Sequence, residues 1–213
     1  MTLHWRVILD DEPRTGSRNM AVDHALARCL RAGEGVLRFY AWSRPTISFG
    51  RNEPAKGVYD PQAAAREGLG LVRRPTGGRA VLHAGEVTYC AVLPVRALGG
   101  LRSAYVRINE GLVHGLRALG VAAEVSRGGA VVGPDAGPCF QVPAPGEVTL
   151  GGRKLVGSAQ VRMGEAILQH GSLILDGDQA PLARVGGGLE DLTPPATLAA
   201  VLGPVAWGTV ARA

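Results

Sequence analysis

Two glycine-rich segments of this 213-residue chain carry charged side chains that could act on a carbonyl or a phosphate group. The first runs from Arg73 to His83 and holds the pair Gly77-Gly78 between two predicted strands. Glycines at such a place let backbone N–H groups approach an anionic or carbonyl oxygen, and flanking arginines favour phosphate or carboxylate. A plain glycine turn with solvated arginines explains the same residues equally well. The spacing does not match the nucleotide-binding loop Gly-x-x-x-x-Gly-Lys-Ser/Thr.

The second segment, residues 151–160, carries Lys154, which is one of only two lysines in a chain with 21 arginines. Arginine is a permanently charged fork, whereas lysine is a compact charge that a protein can tune, so this lysine indicates a role that arginine cannot fill. The glycine pair before it predicts a hairpin whose second strand can aim the amine into a cleft. A solvated hairpin lysine is the alternative.

Cys139 lies in a loop rich in glycine and proline that is predicted over residues 128–145. A loop can expose the sulfur, and a nearby cation such as Lys154 would lower the pKa of the thiol and make it a nucleophile. An incidental loop cysteine is the alternative. Cys29 and Cys90 fall on the apolar face of a predicted helix and within a predicted strand, where both are predicted to be small core residues.

Two histidines could exchange a proton or donate a hydrogen bond to a substrate. His83 ends the first glycine segment, and His170 stands ahead of an apolar strand. A lone histidine is more often structural, so both interpretations stay open. No set of cysteines and histidines has zinc-finger spacing, and the His-Glu-x-x-His motif is absent from the sequence, so no metal site is predicted.

The composition predicts a folded cytoplasmic protein. Hydrophobic residues make up 46% and charged residues 19% of the chain, which is enough apolar material for a core. No apolar run approaches the ~20 residues of a membrane span, and the first residues lack an apolar signal core, so no membrane partner is predicted. Three cysteines fit a reducing compartment. The net charge of +5 is scattered and not clustered with aromatic residues, which argues against nucleic acid and equally suits an acidic partner protein.

Interleaved helix and strand patterns predict one α+β domain. Helices are predicted over residues 17–33, with Ser17 as N-cap, and over 61–67, 102–119, 180–185 and 194–202. Strands are predicted over residues 3–9, 37–41, 47–50, 69–73, 79–83, 86–93, 147–150, from 153 onward and over 166–175. The strands at 79–83 and 86–93 are predicted to pair through a short Ala84-Gly85 turn. A half-buried strand is predicted where Leu37, Phe39 and Ala41 alternate with Arg38, Tyr40 and Trp42.

Taken together, these segments resemble the lipoate–protein ligase and octanoyltransferase superfamily. The resemblance is carried, in the family's order, by residues 19–23, 42–51, 73–83, 152–160 and 170–172. Arg-Arg-x-Thr-Gly-Gly-Arg-Ala-Val-x-His followed by Gly-Arg-Lys-x-x-Gly-Ser-Ala-Gln is jointly specific, although neither glycine motif is specific alone. The resemblance implies a single α+β catalytic domain over residues 1–213, with a mixed β-sheet flanked by helices and related to the biotin–protein ligase domain. The tail after Leu175 is too short for an accessory C-terminal domain, so none is expected.

The resemblance also implies an acyl pocket walled by the two glycine motifs, with the lysine beside the acyl carbonyl. The catalytic residues would be Cys139 and Lys154. The substrate-binding residues would be Arg73, Thr76, Gly77, Gly78, Arg79, His83, Gly157, Ser158, Ala159, His170 and Gly171.

The order of cysteine and lysine along the chain implies one reaction class within this superfamily. A class of transferases that depends on acyl carrier protein has Cys-Phe-x-x-Pro-Ser-x-Tyr-Glu before the lysine. Residues 139–143 match its first half, whereas Ala144-Pro145-Gly146 lacks the expected Ser and Tyr. The class implies that octanoyl-acyl carrier protein donates an octanoyl group through a cysteine thioester, without a cofactor. The acceptor would be a lysine of a lipoyl domain, such as glycine-cleavage H protein or a 2-oxoacid dehydrogenase E2. An ATP-dependent lipoate ligase and an amidotransferase between carrier proteins are the alternatives.

Overall fold

The computed structural model describes residues 3–128, 145–186 and 194–213. The strands are β1 (His4–Arg14), β2 (Glu34–Trp42), β3 (Thr46–Phe49), β4 (Gly70–Arg73), β5 (Val81–His83), β6 (Glu86–Pro94), β7 (Glu124–Val125), β8 (Val148–Leu150), β9 (Arg153–Met163) and β10 (Ala166–Ile174). The helices are α1 (Gly16–Arg28), α2 (Pro61–Arg66), α3 (Leu101–Ala118), α4 (Ala180–Val185), α5 (Ala199–Leu202) and α6 (Trp207–Ala211). The predicted α+β class is confirmed.

A mixed seven-stranded sheet forms the centre of the fold, with the strand order β1-β2-β6-β10-β9-β8-β7. β1 is parallel to β2, and the other neighbouring strands of this sheet are antiparallel. Helix α1 packs on one face through Met20 and Ala27. Helix α3 packs on the opposite face through Ile108, Val113 and Leu116. The sheet therefore lies between two apolar clusters, each completed by one long helix.

A second sheet of three strands, in the order β4-β3-β5, carries the first glycine-rich segment. β3 is parallel to β4 and antiparallel to β5. The segment leaves β4 at Arg73 and enters β5 at Val81, so both of its ends are anchored beside β3. Helix α1 also contacts β4, which places the small sheet along the helix that covers the large one.

The predicted pairing of the strands at 79–83 and 86–93 is wrong. β5 pairs with β3 in the small sheet, whereas β6 pairs with β2 and β10 in the large sheet. Between them Gly85 has a φ of +60°, and its carbonyl oxygen accepts hydrogen bonds from the N–H groups of Leu175 and Asp176. The short connection crosses from one sheet to the other, and strand patterns alone do not distinguish such a crossing from a hairpin.

Helix α1 begins before the predicted cap. Thr15 rather than Ser17 is the N-cap, and its hydroxyl oxygen accepts a hydrogen bond from the N–H group of Arg18. The first helical residue, Gly16, is buried, and a Cβ there would lie 3.0 Å from the Trp42 ring. Close packing at this glycine, which the apolar periodicity does not reveal, fixes where the helix starts.

Two other sequence expectations about buried residues are corrected on this side of the sheet. Helix α1 ends at Arg28, so Cys29 is an exposed C-cap residue and the prediction that it lies in the core is wrong. Cys90 is fully buried, as predicted. β2 is not simply half-buried, because Arg38 and Tyr40 are both 0% exposed.

The predicted hairpin at residues 151–152 is confirmed, since β8 and β9 are antiparallel and both turn glycines have positive φ angles, 56° and 76°. The predicted loop with Cys139 lies outside the described residues. The described residues on its two sides meet, because the Gly146 N–H donates to the Ser126 carbonyl and the Ser126 N–H donates to the Glu147 carbonyl. The chain therefore returns to its point of departure before β8 begins.

The remaining helices follow the predictions closely, apart from the C-terminal part of the chain. α2, α3 and α4 lie within one residue of their predicted bounds. In place of the helix predicted over 194–202 the structure has only α5, and α6 was not predicted. Among the described residues, no helix combines the length and the apolar character that a membrane crossing requires.

Candidate functional site

A narrow cavity of about 30 Å³, called here the inner cavity, lies where α1 and the two sheets meet. Six of the predicted substrate-binding residues line it, namely His83, Gly157, Ser158, Ala159, His170 and Gly171. The other lining residues are Met20, Tyr40, Trp42, Ser48, Arg74, Val81, Thr88 and Ser172. A Cβ at Gly171 would lie 2.5 Å from the Gly157 carbonyl oxygen, so only glycine permits this approach of β10 to β9.

His170 is fixed by a hydrogen bond on each ring nitrogen. Nδ1 lies 3.1 Å from Asp23 Oδ2 and Nε2 lies 2.7 Å from Thr76 Oγ1. Burial holds the pKa of His170 below its ordinary value of 6.5, although the Asp23 carboxylate opposes this shift. Because a carboxylate only accepts, the neutral ring donates from Nδ1 to Asp23, and Nε2 accepts from the Thr76 hydroxyl. The chain Asp23–His170–Thr76 thus connects α1 to the first glycine-rich segment.

The charge of Asp23, which is fully buried, is balanced by groups that the sequence interpretation did not assign to the site. Arg38 Nη1 donates to Asp23 Oδ1 at 2.8 Å, and the Tyr40 hydroxyl donates to Asp23 Oδ2 at 2.9 Å. Burial and the Asp23 charge raise the pKa values of the Tyr40 phenol and the Cys90 thiol. Cys90 therefore stays a thiol and is not a nucleophile. The alternating pattern of β2 did not predict that Arg38 is buried, because an arginine that alternates with apolar residues in a strand normally points towards solvent.

His83 belongs to a second polar cluster on the wall of the inner cavity. Its Nδ1 lies 2.8 Å from Glu86 Oε1, and its Nε2 lies 2.7 Å from Ser48 Oγ. Ser172 Oγ donates to the same Glu86 oxygen at 2.8 Å. The Trp42 ring stacks on the imidazole with 4.0 Å between ring centroids. The histidine ring is therefore held on its edges and on one face.

The glycine loop, residues 74–80, is held by the buried side chain of Arg74. This guanidinium donates to the carbonyl oxygens of Ser48, Gly77 and Arg79 at 2.7–2.9 Å. Arg74 therefore holds the conformation of the loop. The sequence motif alone could not distinguish this role from anion binding, because the two roles differ only in what the guanidinium contacts.

A second set of contacts packs this loop against the residues after β3. A Cβ at Gly50 would lie 1.7 Å from the carbonyl oxygen of Gly78, whose own φ is +89°. Glu53 accepts hydrogen bonds from the N–H groups of Gly50 and Ala80, both at 2.9 Å. Both glycines are required for this approach, and Glu53 is a loop-positioning residue that the sequence interpretation missed.

Lys154, the predicted catalytic lysine, is 3% exposed, and its Nζ donates to Glu147 Oε1 at 2.6 Å. Glu147 is also buried and lies at the entry to β8. Lys154 does not line the inner cavity but lies three residues before Gly157 on the same strand. The Cys-Phe-x-x-Pro-Ser-x-Tyr-Glu motif ends in a glutamate at the position of Glu147. This glutamate was the only sequence feature that could have predicted a partner for Lys154.

Asn109 of α3 connects the residue before Glu147 to β9. Its Nδ2 donates to the Gly146 carbonyl oxygen at 2.7 Å, and its Oδ1 accepts from Ser158 Oγ at 3.3 Å. Where the family motif has tyrosine, Gly146 has a φ of +88°, and a Cβ there would lie 3.3 Å from the Tyr105 ring. The tyrosine of a neighbouring helix thus packs against the position from which the motif tyrosine is missing.

The remaining predicted site residues do not line the inner cavity. Arg73 is exposed and donates to backbone carbonyl oxygens, including that of Glu53 at 2.9 Å. Gly77 and Gly78 are exposed in the loop, and Arg79 is partly buried. Cys139 lies outside the described residues, so its distance to Lys154 stays a prediction. Within the described ranges, no group of His, Cys, Asp and Glu side chains could hold a metal ion.

Comparison with known proteins gives consistent matches over most of the chain. The model of the lipoyl protein ligase A/B catalytic domain matches residues 15–192. Octanoyltransferase LipM of Moorella thermoacetica is 46% identical over 179 residues, which cover 80% of this chain and 65% of that protein. Octanoyltransferase LipM of Symbiobacterium thermophilum is 42% identical over 193 residues, which cover 87% of this chain and 70% of that protein. The match therefore spans about two thirds of the length of these relatives.

The fold comparison gives a similar protein over the whole chain. A T. acidophilum protein described as a lipoate protein ligase, solved with bound lipoic acid, has a TM-score of 0.81 and 25% sequence identity. The likeness covers 100% of this chain and 82% of that one.

Proposed function

This chain belongs to the lipoyl protein ligase A/B catalytic domain family, as its motifs predicted, and on that premise we propose that it is an octanoyltransferase. It transfers an octanoyl group from octanoyl-acyl carrier protein, through a thioester on Cys139, to a lysine of a lipoyl domain. The names of the two octanoyltransferase relatives support the reaction class. We place the reaction in the cytoplasm, in keeping with the sparse cysteines.

One observation carries the proposal: Lys154 is buried against Glu147. Glu147 follows Cys139 by only eight residues in the chain. An ammonium has three donors, and the Glu147 carboxylate orients one of them. A cation fixed in this way near the returning chain would stabilise a thiolate and a developing oxyanion. No other described lysine has this burial, since Lys56 is exposed.

In the first step, the Cys139 thiolate attacks the carbonyl carbon of the octanoyl thioester. The carbon–sulfur bond to the carrier breaks, and the carrier leaves as a thiolate that takes up a proton. The acyl group is then held as a thioester of Cys139. A thiolate is already a good nucleophile near neutral pH, so the protein needs only to lower the pKa of the thiol and to hold the carbonyl.

In the second step, the neutral amine of the acceptor lysine attacks the same carbonyl carbon. The bond to Cys139 breaks, the thiolate is restored, and the nitrogen loses a proton to give the amide. The inner cavity, which β9 reaches three residues after Lys154, would receive the acyl chain, and each methylene buried there would contribute about 0.8 kcal/mol. At this wall a Cβ at Gly171 would lie 2.5 Å from the Gly157 carbonyl oxygen, so the glycine at 171 lets β10 approach β9 closely.

The test is octanoyl transfer to a lipoyl domain in the absence of ATP, with Cys139→Ala and Cys139→Ser as variants. We expect the wild type to transfer and both variants to lose transfer at least about 1000-fold, as covalent catalysis requires. Full turnover by Cys139→Ala would contradict the covalent scheme. Transfer only with ATP and a free acid would instead make the chain a lipoate ligase. Transfer from octanoylated H protein, and not from the acyl carrier, would make it an amidotransferase.

A further inference from the structure

The inner cavity is narrow, with only about 30 Å³ of space open to water. An acyl chain that enters it would contact the wall along its whole length. How far the chain reaches would then depend on which wall residue can give way, and the inference that follows rests on the proposed acyl transfer.

The polar side chains of the wall are poorly suited to move, because each is held by hydrogen bonds. Displacing such a side chain would leave buried donors and acceptors without partners. This set comprises Tyr40, Trp42, Ser48, Arg74, His83, Thr88, Ser158, His170 and Ser172. The movable part of the wall must be sought among its apolar side chains.

Three apolar side chains line the inner cavity besides the aromatic ones, and they differ in stiffness. Ala159 has no side-chain torsion that could open space. Val81 is β-branched and sits in β5, where its χ1 is restricted. Met20 is unbranched, has three rotatable bonds and carries no hydrogen-bond donor. Met20 is thus the wall residue that can move at the lowest cost.

Space for this movement lies directly behind Met20. A second cavity, called here the outer groove, has a volume of about 1370 Å³ and lies between α1, the β9–β10 turn and residues 73–75. Met20 and Arg74 line both cavities and so form the partition between them. Arg74 is pinned by its three carbonyl contacts, which leaves Met20 as the part of the partition that can swing into the groove.

The direction of the acyl chain follows from the order of residues along β9. Lys154 comes first, Gly157–Ala159 line the inner cavity, and Val161–Met163 line the outer groove. The step from Lys154 to Gly157 spans roughly 10 Å of strand. With the acyl carbonyl at Lys154, the methyl end of the chain therefore points towards the partition.

We propose that Met20 is the movable inner wall of the acyl site and sets the chain length that the enzyme accepts. In the resting protein its thioether separates the inner cavity from the outer groove. On binding, it turns towards the groove and its side chain meets the methyl end of an octanoyl group. A smaller residue at this position joins the two cavities, and a larger, stiffer one keeps the site short.

The test compares acyl donors of four, eight and twelve carbons with the wild type and two variants that act in opposite directions. In Met20→Ala, we expect the ratio of kcat/KM for dodecanoyl to that for octanoyl donor to rise at least about tenfold, within the roughly 200-fold that four buried methylenes can supply. In Met20→Phe, we expect the ratio for octanoyl to butanoyl donor to fall at least about tenfold. Met163→Ala is the matched control, because Met163 lines the outer groove but not the inner cavity, and its ratios should stay within about twofold.

A second readout separates this inference from the proposed reaction. Calorimetric affinities of free octanoate and dodecanoate report the length of the site whether or not acyl transfer occurs. If no protein transfers any acyl group but the affinity ratio rises in Met20→Ala, the proposed reaction fails and the role of Met20 stands. If the wild type transfers octanoyl and both Met20 variants keep wild-type ratios while folded by circular dichroism, the role of Met20 is overturned.

Discussion

The Nζ of Lys154 and the Oε1 of Glu147 are 2.6 Å apart, and both side chains are almost completely shielded from water. A buried lysine is costly unless a partner balances its charge, and a removed partner leaves that cost uncompensated. The Glu147 carboxylate is therefore needed for the stability of the fold, and it also positions Lys154, the group proposed to stabilise the reacting carbonyl.

The carboxylate of Glu147 should be required for both stability and acyl transfer. We expect Glu147→Gln to lower the free energy of unfolding by about 3 kcal/mol, because it leaves a buried ammonium beside a neutral amide. Formation of the acyl-enzyme should slow at least about tenfold. Urea denaturation and single-turnover acylation measure the two effects. Glu124→Gln, an exposed change on the neighbouring β7, should shift stability by less than about 0.5 kcal/mol, and equal effects of both changes would refute this account.

His170 should make the protein less stable in mild acid. Its pKa is held below 6.5 by burial, so below that pH the unfolded chain takes up a proton that the folded ring does not. Its contribution is therefore fully present above pH 6.5 and is lost as the pH falls towards the lowered pKa, by up to about 1.4 kcal/mol per pH unit. Unfolding free energies of wild type and His170→Gln between pH 7 and pH 5 measure this. Parallel pH profiles would show that another group is responsible.

Packing of Gly50 against Gly78 should be indispensable for the glycine loop. A Cβ at Gly50 would overlap the Gly78 carbonyl oxygen at 1.7 Å, so Gly50→Ala must push the loop away from β3. We expect acyl transfer to fall at least about 100-fold, because a displacement of about 1 Å at a reacting centre has that effect. Gly111→Ala is the control, since a Cβ there meets nothing within 4 Å in helix α3, and it should stabilise the protein by about 0.5–1 kcal/mol. Wild-type transfer rates in Gly50→Ala would contradict the role of this contact.

Asn109 of helix α3 should contribute to the position of Glu147. Its amide donates to the carbonyl of Gly146, the residue before Glu147, and accepts from Gln169 Nε2 at 3.1 Å. We expect Asn109→Leu to cost about 2–3 kcal/mol of stability, because buried polar groups lose their partners. Slower acyl-enzyme formation should accompany this loss. Glu110→Gln, an exposed change on the same helix, should leave both quantities unchanged, and a normal acylation rate in folded Asn109→Leu would separate the two residues.

Local signals were sufficient to predict much of the fold. Helix α3 has an apolar stripe that ends before a glycine, and the hairpin between β8 and β9 has two turn glycines with positive φ angles. Such features depend on neighbours within a few residues, so periodicity and turn chemistry capture them. The two glycine motifs also identified four of the residues that line the inner cavity, and the segment 170–172 identified two more.

Long-range relationships were not accessible in this way. Asp23 and His170 are 147 positions apart in the chain, and only the packing of α1 on β10 brings them together. The alternating pattern placed Arg38 on the polar side of a half-buried strand. Its burial depends on the carboxylates of Asp10 and Asp23, which come from other elements and are not visible in the pattern of β2. The predicted hairpin at Gly85 was wrong for the same reason, since the hydrogen-bond partners of Gly85 lie ninety residues further along the chain.

The most direct test of the proposed function is the intact mass of the protein after mixing with octanoyl-acyl carrier protein in the absence of ATP. We predict a single octanoyl adduct that maps to Cys139 and disappears when a lipoyl domain is added, with the octanoyl group recovered as an amide on that domain. The absence of any adduct, with modification of the lipoyl domain only after ATP and free lipoate are supplied, would contradict the account and identify the chain as a ligase.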